Sequence, residues 1–253
     1  MRQDHSSPAP PVVLDRRDGP HGEVVLRRHG DLLQIIANGT FLMDTSDGRS
    51  ERLLVRAALE ELRGKNSPET AATLAPEARL TPHCSPQGRP RLLIGGLGVG
   101  FSLAAAAAEP DWARITVVER EEAVIDWHRD GGPLSRFSAE AQRDERTEIV
   151  HADLVAYVND GAGEALFDVM CVDIDNGPGW TVTEDNHSLY SAAGLAACSA
   201  RLAPGGVLAV WSAQAAPTFE DALCNAGFMR VRTQEVPVAR GVPDVVHFAT
   251  NPA

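Results

Sequence analysis

The sequence predicts an α/β fold in which a doubly wound, mostly parallel sheet of seven strands follows a small N-terminal β-meander. Three observations predict it. Strand and helix signals alternate from Arg91 to the C-terminal end. A glycine-rich turn, 95–100, follows the first of these strands and opens a helix. The continuous apolar run 167–173 is typical of a parallel strand buried on both faces.

The N-terminal part of the chain predicts a tail, a small domain and a linker. Residues 1–11 are rich in Pro and Ser, contain no apolar stretch, and predict a disordered tail rather than a signal peptide. Residues 12–63 predict a β-meander followed by an amphipathic helix at 50–63, and the meander's strands are expected at 23–28, 32–37 and 40–43. Residues 64–89, rich in Pro, Ser, Thr and Gly, predict a linker or surface loop.

Residues 90–253 predict the nucleotide-binding, Rossmann-like domain. Its seven strands are expected at 91–94, 115–118, 147–151, 167–173, 207–211, 228–236 and 244–249. Its helices are expected at 101–108, 121–129, 154–159, 188–202 and 219–226. Pro204-Gly205-Gly206 predicts a turn before the fifth strand.

The overall charge and the cysteines narrow the classes of function. The formal net charge is −12 and the pI about 5.1, which argues against binding nucleic acid or an anionic membrane, since both require a cationic surface. No apolar run approaches the roughly 18–20 residues that span a bilayer. The four cysteines form no CxxC pair and no metal-ligand spacing, so we expect reduced thiols, no metal site and a cytoplasmic protein.

The first candidate site feature is the loop that carries Gly95, Gly96, Gly98 and Gly100. Glycines permit a tight turn and let a ligand approach backbone N–H groups at the start of a helix. A glycine-rich turn without a ligand is the alternative. The spacing is GxGxG rather than the GxGxxG of NAD enzymes, and no Tyr/Lys or His constellation supports a NAD-dependent oxidoreductase.

Two acidic residues follow the next two strands. Glu119 lies about 20 residues after the glycines, where an acid accepts hydrogen bonds from ribose hydroxyls. Asp153 follows the third strand, where a carboxylate can accept a hydrogen bond from an adenine amine. A solvated glutamate and a helix N-cap are the respective alternatives. Both residues are therefore candidates for cofactor binding.

The segment after the fourth strand carries the candidate catalytic residues. Asp173 and Asp175 are carboxylates at the mouth of the sheet, where raised pKa values would let them act as bases. Asn176, Trp180 and Tyr190 are candidates for substrate binding, although Trp180 and Tyr190 could equally belong to the core. A turn with an Asx cap is the alternative for the acids, and His187 is a further possible base.

Taken in order, these motifs resemble the spermidine synthase-like (polyamine aminopropyltransferase-like) group of the class I S-adenosylmethionine-dependent methyltransferase superfamily. The resemblance rests on the N-terminal hairpin unit and on LLIGGLGVG, VVERE, VHADL, FDVMCVDIDNGPG and LAPGGVLAV. It implies the class I methyltransferase fold and S-adenosylmethionine, or its decarboxylated form, as the cofactor. Through the motifs VVERE and VHADL it also implies Arg120 and Leu154 as cofactor-binding residues, and it adds Asp173 to that set.

The sequence departs from this group at the reacting end of the site. Spermidine synthases usually read GGGDGG in the first loop, and Gly98 stands where their Asp meets the aminopropyl group. They usually read DSxDP after the fourth strand, so the second acid corresponds to Asp175 or Asn176, depending on a gap. The Tyr near their first helix has no counterpart in 46–52. The residues expected to hold adenosine are thus present, whereas those for the aminopropyl group and the diamine differ.

These departures determine the order in which we rank three hypotheses about the function. A methyltransferase acting on a small-molecule acceptor comes first, with Asp173 and Asp175 orienting or deprotonating that acceptor. An aminopropyltransferase using decarboxylated S-adenosylmethionine is the alternative, and a non-catalytic relative that binds adenosyl ligands is a further one. We expect a homodimer, because the relatives are oligomeric and the meander offers edge strands for pairing.

Overall fold

The computed structural model describes residues 10–65, 88–160, 166–238 and 241–252. The chain divides into two compact units, one up to Asp47 and one from Gly48 onward. Most of the predicted tail, residues 1–9, and most of the predicted linker, residues 66–87, lie outside the described ranges.

The first unit contains a four-stranded antiparallel meander. Its strands, in chain order and in sheet order, are β1 Val12–Gly19, β2 Gly22–His29, β3 Leu32–Ala37 and β4 Thr40–Asp44. The sequence predicted the last three strands. It did not predict β1, because this edge strand exposes nearly every side chain and therefore lacks alternation. The dipeptide Asn38-Gly39 is a strong sequence signal for a hairpin turn between the predicted strands 32–37 and 40–43. The two residues have φ angles of 50° and 77°, as a two-residue turn between β3 and β4 requires.

Helix α1, Arg49–Lys65, opens the second unit. Its apolar side chains are buried in that unit, where α1 packs against the large sheet. They are Leu54, Val55, Ala58 and Leu59. The sequence placed this helix in an N-terminal domain ending at residue 63, whereas the compact units divide at Asp47.

The second unit is built on a seven-stranded sheet of order β10-β11-β9-β8-β5-β6-β7. Neighbouring strands from β7 through β9 run parallel, and β11 is antiparallel to both β9 and β10. The strands are β5 Arg91–Gly95, β6 Arg114–Glu119, β7 Thr147–His151, β8 Phe167–Val172, β9 Leu202–Ser212, β10 Met229–Val236 and β11 Asp244–Thr250. The predicted doubly wound, mostly parallel fold is confirmed.

Short helices connect these strands, and two of them differ from the prediction. The helices after α1 are α2 Phe101–Ala107, α3 Glu122–His128, α4 Ser135–Gln142, α5 Leu154–Asp160, α6 Ala192–Arg201 and α7 Pro217–Asn225. Helix α4 was not predicted. The predicted helix 188–202 is a 3₁₀ helix, Glu184–Tyr190, followed by α6, because the Ser191 hydroxyl caps α6 by accepting the Gly194 N–H.

The predicted turn Pro204-Gly205-Gly206 lies inside β9 instead of preceding it. Asn251 stabilises this irregular stretch, since its carbonyl accepts the Gly205 N–H and its own N–H donates to Gly206. Backbone pairing with the end of the chain thus keeps the segment extended despite the positive φ of Gly205.

Strands β5 and β8 lie side by side in the middle of the sheet. The chain runs from β5 outward through β6 and β7, then returns to β8 on the opposite side of β5. Ligands of doubly wound sheets bind at such a reversal, beyond the carboxyl ends of the strands. Within the described ranges, none of the helices is both long and apolar enough to cross a membrane.

Candidate functional site

The glycine loop 95–100 joins β5 to α2 at this reversal. Gly96, Gly98 and Gly100 have φ angles of 95°, 51° and 93°, a region that other residues rarely adopt. A Cβ atom on Gly96 would lie 2.2 Å from the Asp173 carbonyl oxygen, and one on Gly95 would lie 2.3 Å from the Leu154 side chain. The glycines therefore allow the loop to pass close to the end of β8.

Two buried side chains fix the path of this loop. Glu119, at the end of β6, accepts the Leu97 N–H at Oε2 (2.8 Å) and the Glu121 N–H at Oε1 (2.8 Å). His128 lies within 2.9 Å of the Gly98 carbonyl through Nε2 and within 2.7 Å of the Ser138 hydroxyl through Nδ1. Because a carbonyl can only accept, Nε2 carries the proton in this bond. The sequence did not predict His128, which comes from the end of a helix.

Burial raises the pKa of Glu119, and the backbone N–H groups of Glu121 and Leu97 oppose that shift. Each carboxylate oxygen can accept more than one hydrogen bond, so the predicted ribose contact is chemically compatible with this arrangement. Burial likewise lowers the pKa of His128, which keeps the imidazole neutral.

The other predicted cofactor residues surround Glu119. Arg120 donates from its guanidinium to Asn186 Oδ1 (3.1 Å) and Thr183 Oγ1 (2.9 Å). Asp153 Oδ1 accepts the Ala156 N–H at 2.9 Å, which is the N-cap contact considered as the alternative. Leu154 is buried beneath Gly95. Nucleotide binding by Arg120, Asp153 and Leu154 stays a prediction.

Asp173 follows β8 directly and is the centre of a group of polar side chains. Its Oδ2 accepts the Ser102 hydroxyl at 2.9 Å. Burial, first, and then the negative charge of Glu51 raise the pKa of Asp173 to about 7, against the opposing effect of the Ser102 hydrogen bond. Asp244, at the start of β11, adds to the increase. A carboxyl with this pKa can accept a proton near neutral pH.

Glu51 and Asp244 were not among the sequence candidates. The Ser50 hydroxyl lies 2.7 Å from Asp244 Oδ2 and 3.1 Å from Glu51 Oε2, so Ser50 joins the two acids. Burial is also the main reason that the pKa of Glu51 is raised. Glu51 lies in the stretch 46–52, which has no counterpart of the Tyr of spermidine synthases but does carry this acid.

The residues after Asp173 form a tight turn. Asp175 has a φ of 51°, and its Oδ2 accepts the Asn186 side-chain N–H at 2.8 Å. Asn176 is buried, and its carbonyl accepts the Ala213 N–H at 3.1 Å. Within the described residues, the Asn176 side-chain nitrogen has no hydrogen-bond partner.

The predicted aromatic residues occupy different surroundings. Tyr190 is buried and packs edge-on against Phe219, with a ring-centroid distance of 5.6 Å. In the part of the chain that the structure describes, its hydroxyl has no hydrogen-bond partner. Burial and then the negative charge of Asp175 raise the pKa of Tyr190, so the hydroxyl remains protonated. Trp180 is 50% exposed, and His187 is exposed as well.

Together these groups could hold an adenosyl ligand and an amine. The glycine loop and Glu119 offer backbone and carboxylate partners, while Asp173 and Asp175 offer negative charge. The unpaired polar atoms of Asn176 and Tyr190 are buried groups that a ligand could satisfy. The residues present therefore fit the implied cofactor.

Comparisons with known proteins agree on the fold. No family model matches the sequence, and none of the curated proteins matches it. A spermidine synthase in complex with the transition-state analogue AdoDATO matches at a TM-score of 0.71 and 18% identity, over 95% of this chain and 74% of that one. The spermidine synthase from Thermotoga maritima matches at 0.68 and 17%, over 95% and 73%. A probable spermidine synthase from Corynebacterium glutamicum matches at 0.56 and 15%, over 93% and 79%.

The chain has the spermidine synthase fold. The prediction that placed a methyltransferase first is wrong, because these structural neighbours are spermidine synthases and match along nearly the whole chain. The departures at Gly98, after the fourth strand and in 46–52 had placed a methyltransferase first. The glycine spacing determines the backbone path of the loop but does not specify which group is transferred.

Proposed function

We propose that this protein is an aminopropyltransferase that uses decarboxylated S-adenosylmethionine and a small-molecule amine acceptor. The observation that carries the proposal is the position of the Asp173 carboxyl, which follows β8 at the reversal point of the sheet and accepts the Ser102 hydroxyl at 2.9 Å. Its pKa, raised to about 7, agrees with a role as a base. The shared fold supports it, since one neighbour was solved with the analogue AdoDATO. The cytoplasmic location and the homodimer stay predictions.

An amine acceptor needs a base, because its ammonium form has no lone pair with which to attack carbon. Asp173 would accept that proton on its carboxylate, and Ser102 would hold the carboxylate in place. Decarboxylated S-adenosylmethionine would supply an already activated carbon, so positioning of the two partners should dominate the rate.

The remaining residues have binding roles in this proposal. Glu119 would hold the ribose and Asp153 the adenine, beside the glycine loop. Asp175, with Asn176 and Tyr190, would orient the acceptor. The negative charge of Glu51 near Asp173 suits a cationic acceptor.

The test is transfer by the purified protein from decarboxylated S-adenosylmethionine to a panel of linear diamines, with products detected by mass spectrometry. We expect an aminopropylated amine and a wide preference for the decarboxylated form over the parent cofactor. Asp173→Asn should lower kcat by roughly 10²–10⁴-fold. Equal or inverted cofactor preference would contradict the proposal, and nucleotide binding without turnover would favour a non-catalytic relative.

A further inference from the structure

A chain of three side chains links the end of β6 to the turn after β8. The Arg120 guanidinium donates to Asn186 Oδ1 at 3.1 Å, and Asn186 Nδ2 donates to Asp175 Oδ2 at 2.8 Å. Arg120 also donates to Thr183 at 2.9 Å. Asn186, the middle residue of this chain, is 6% exposed, whereas Arg120 and Asp175 are partly buried. We call Arg120, Asn186 and Asp175 the relay.

The chemistry of the two ends fixes how the Asn186 amide is oriented. A guanidinium can only donate hydrogen bonds and an ionised carboxylate can only accept them. The amide oxygen must therefore face Arg120 and the amide nitrogen must face Asp175. Both contacts involve a charged group, which makes them stronger than bonds between neutral groups.

The backbone conformation of Asp175 requires stabilising contacts, and the relay supplies one of them. A φ of 51° is unfavourable for a residue with a Cβ atom, and such conformations persist only where their surroundings hold them. The Ala213 N–H holds the turn on the β9 side through the Asn176 carbonyl. Asn186 holds it on the β6 side through the Asp175 carboxylate.

A buried donor, the Tyr190 hydroxyl, lies within electrostatic range of the Asp175 carboxylate. The Tyr190 hydroxyl is without a hydrogen-bond partner among the described residues, although Tyr190 is only 7% exposed. The negative charges of Asp175 and Asp173 both act on this hydroxyl. A buried hydroxyl left unpaired is costly, and a ligand with a polar group between Tyr190 and Asp175 would satisfy it.

We infer that Arg120 and Asn186 are positioning residues that hold the Asp175 carboxylate toward the acceptor amine, with the Tyr190 hydroxyl as a second contact. The inference rests on the proposed function. In it, the Arg120 guanidinium contributes to acceptor binding by holding Asn186 and, through it, Asp175. A relay of this kind predicts that its loss weakens acceptor binding while nucleotide binding stays nearly unchanged.

The test compares Asn186→Leu and Arg120→Gln with Arg114→Gln, which removes an exposed arginine of β6 that is paired with Glu148 of β7. Hydrogen exchange of the ligand-free proteins is followed by mass spectrometry, and KM is measured for a diamine and for decarboxylated S-adenosylmethionine. For both variants we expect faster exchange in 175–187 and a KM for the diamine raised about 10-fold or more. For Asn186→Leu, which removes no predicted nucleotide contact, we expect a nucleotide KM within about 3-fold of the wild-type value. The control should match the wild type in each respect.

The double variant Arg120→Gln/Asn186→Leu should resemble Asn186→Leu alone, because residues of one chain of contacts are not additive. A nucleotide KM of Asn186→Leu that rises as much as its diamine KM, or additive effects of the two substitutions on the diamine KM, would overturn the relay. If the wild type transfers nothing, the proposed function has failed, and the exchange measurement then decides the relay: unchanged exchange in 175–187 overturns it, and faster exchange supports it.

Discussion

The hydroxyl of Ser102 lies 2.9 Å from Oδ2 of Asp173 and joins the first turn of α2 to the end of β8. The carboxyl of Glu51 exerts an electrostatic effect of the opposite sign on the pKa of Asp173. The hydrogen bond favours the ionised form of Asp173, whereas the negative charge of Glu51 favours the protonated form. The pKa of this one carboxyl can therefore be shifted in either direction by a single substitution.

Ser102→Ala should move the pH dependence of the reaction to higher pH. Without its hydrogen bond, the Asp173 carboxylate is less stable and its pKa rises above the wild-type value of about 7. Since the ionised form of Asp173 is the base, kcat/KM falls as the pH is lowered through the pKa of this residue. In the variant the midpoint of that fall should lie about half to one pH unit higher than in the wild type. A kcat/KM profile from about pH 5 to about pH 9 measures it. A midpoint that moves downward would contradict the assignment of Asp173 as the base.

Glu51→Gln should move the same midpoint to lower pH. The substitution removes the negative charge that, after burial, contributes most to the raised pKa of Asp173. The matched control is Glu60→Gln, which changes an exposed glutamate of the same helix and should leave the profile unchanged. If both variants shift the midpoint equally, the effect comes from the net charge of the protein and not from contact with Asp173.

Asp173→Asn should stabilise the protein at alkaline pH while abolishing most of its activity. Below about pH 3.8, the ordinary pKa of an aspartate, the Asp173 carboxyl is protonated in both the folded and the unfolded state and has no effect on stability. Between that pH and about pH 7 it ionises more readily in the unfolded state, so it destabilises the folded state increasingly. The neutral amide removes that cost and can still accept the Ser102 hydroxyl. We expect the free energy of unfolding to increase by about 1–3 kcal/mol at about pH 8.5, and by little near pH 4.

Urea unfolding of the wild type and the variant at both pH values measures this difference. A variant less stable than the wild type at about pH 8.5 would show that the charged carboxyl of Asp173 contributes favourable contacts that outweigh its burial.

The elements with a strong local pattern were predictable from the sequence, and the weakly patterned ones were not. The apolar run that becomes β8 and the turn at Asn38-Gly39 each have a signal within a few residues. Helix α4 is short and has few apolar residues, and its buried residues are Ser138 and Ala141. Strand β1 has an exposed pattern throughout, so its position depends on pairing with β2 and not on its own residues.

The same division applies to the candidate site. Asp173, Glu119 and the glycines follow strands directly, so their position in the chain already predicts their position in the fold. His128, Asn186 and Glu51 reach the site from helices. Their partners are distant in sequence, as for Glu51 and Asp173 or for Asn186 and Arg120, so no local spacing could indicate these contacts.

Gly96→Ala should destabilise the protein far more than a glycine substitution at a turn with free space. A Cβ atom at Gly96 would lie 2.2 Å from the Asp173 carbonyl oxygen, which is backbone in the middle of the sheet and cannot easily move. Gly131 has a similar φ of 83°, but no atom lies within 4 Å of its Cβ position. Gly131→Ala therefore isolates the conformational cost, about 1–2 kcal/mol.

We expect Gly96→Ala to lower the free energy of unfolding by about 2–4 kcal/mol and to displace Asp173, since relief of the contact must separate the glycine loop from the end of β8. Chemical denaturation of both variants, with kcat/KM measured under native conditions, tests this. If the two variants lose equal stability, the positive φ alone explains why residue 96 is a glycine. A larger loss for Gly96→Ala accompanied by lower kcat/KM would mean that the approach of the two loops is what this glycine makes possible.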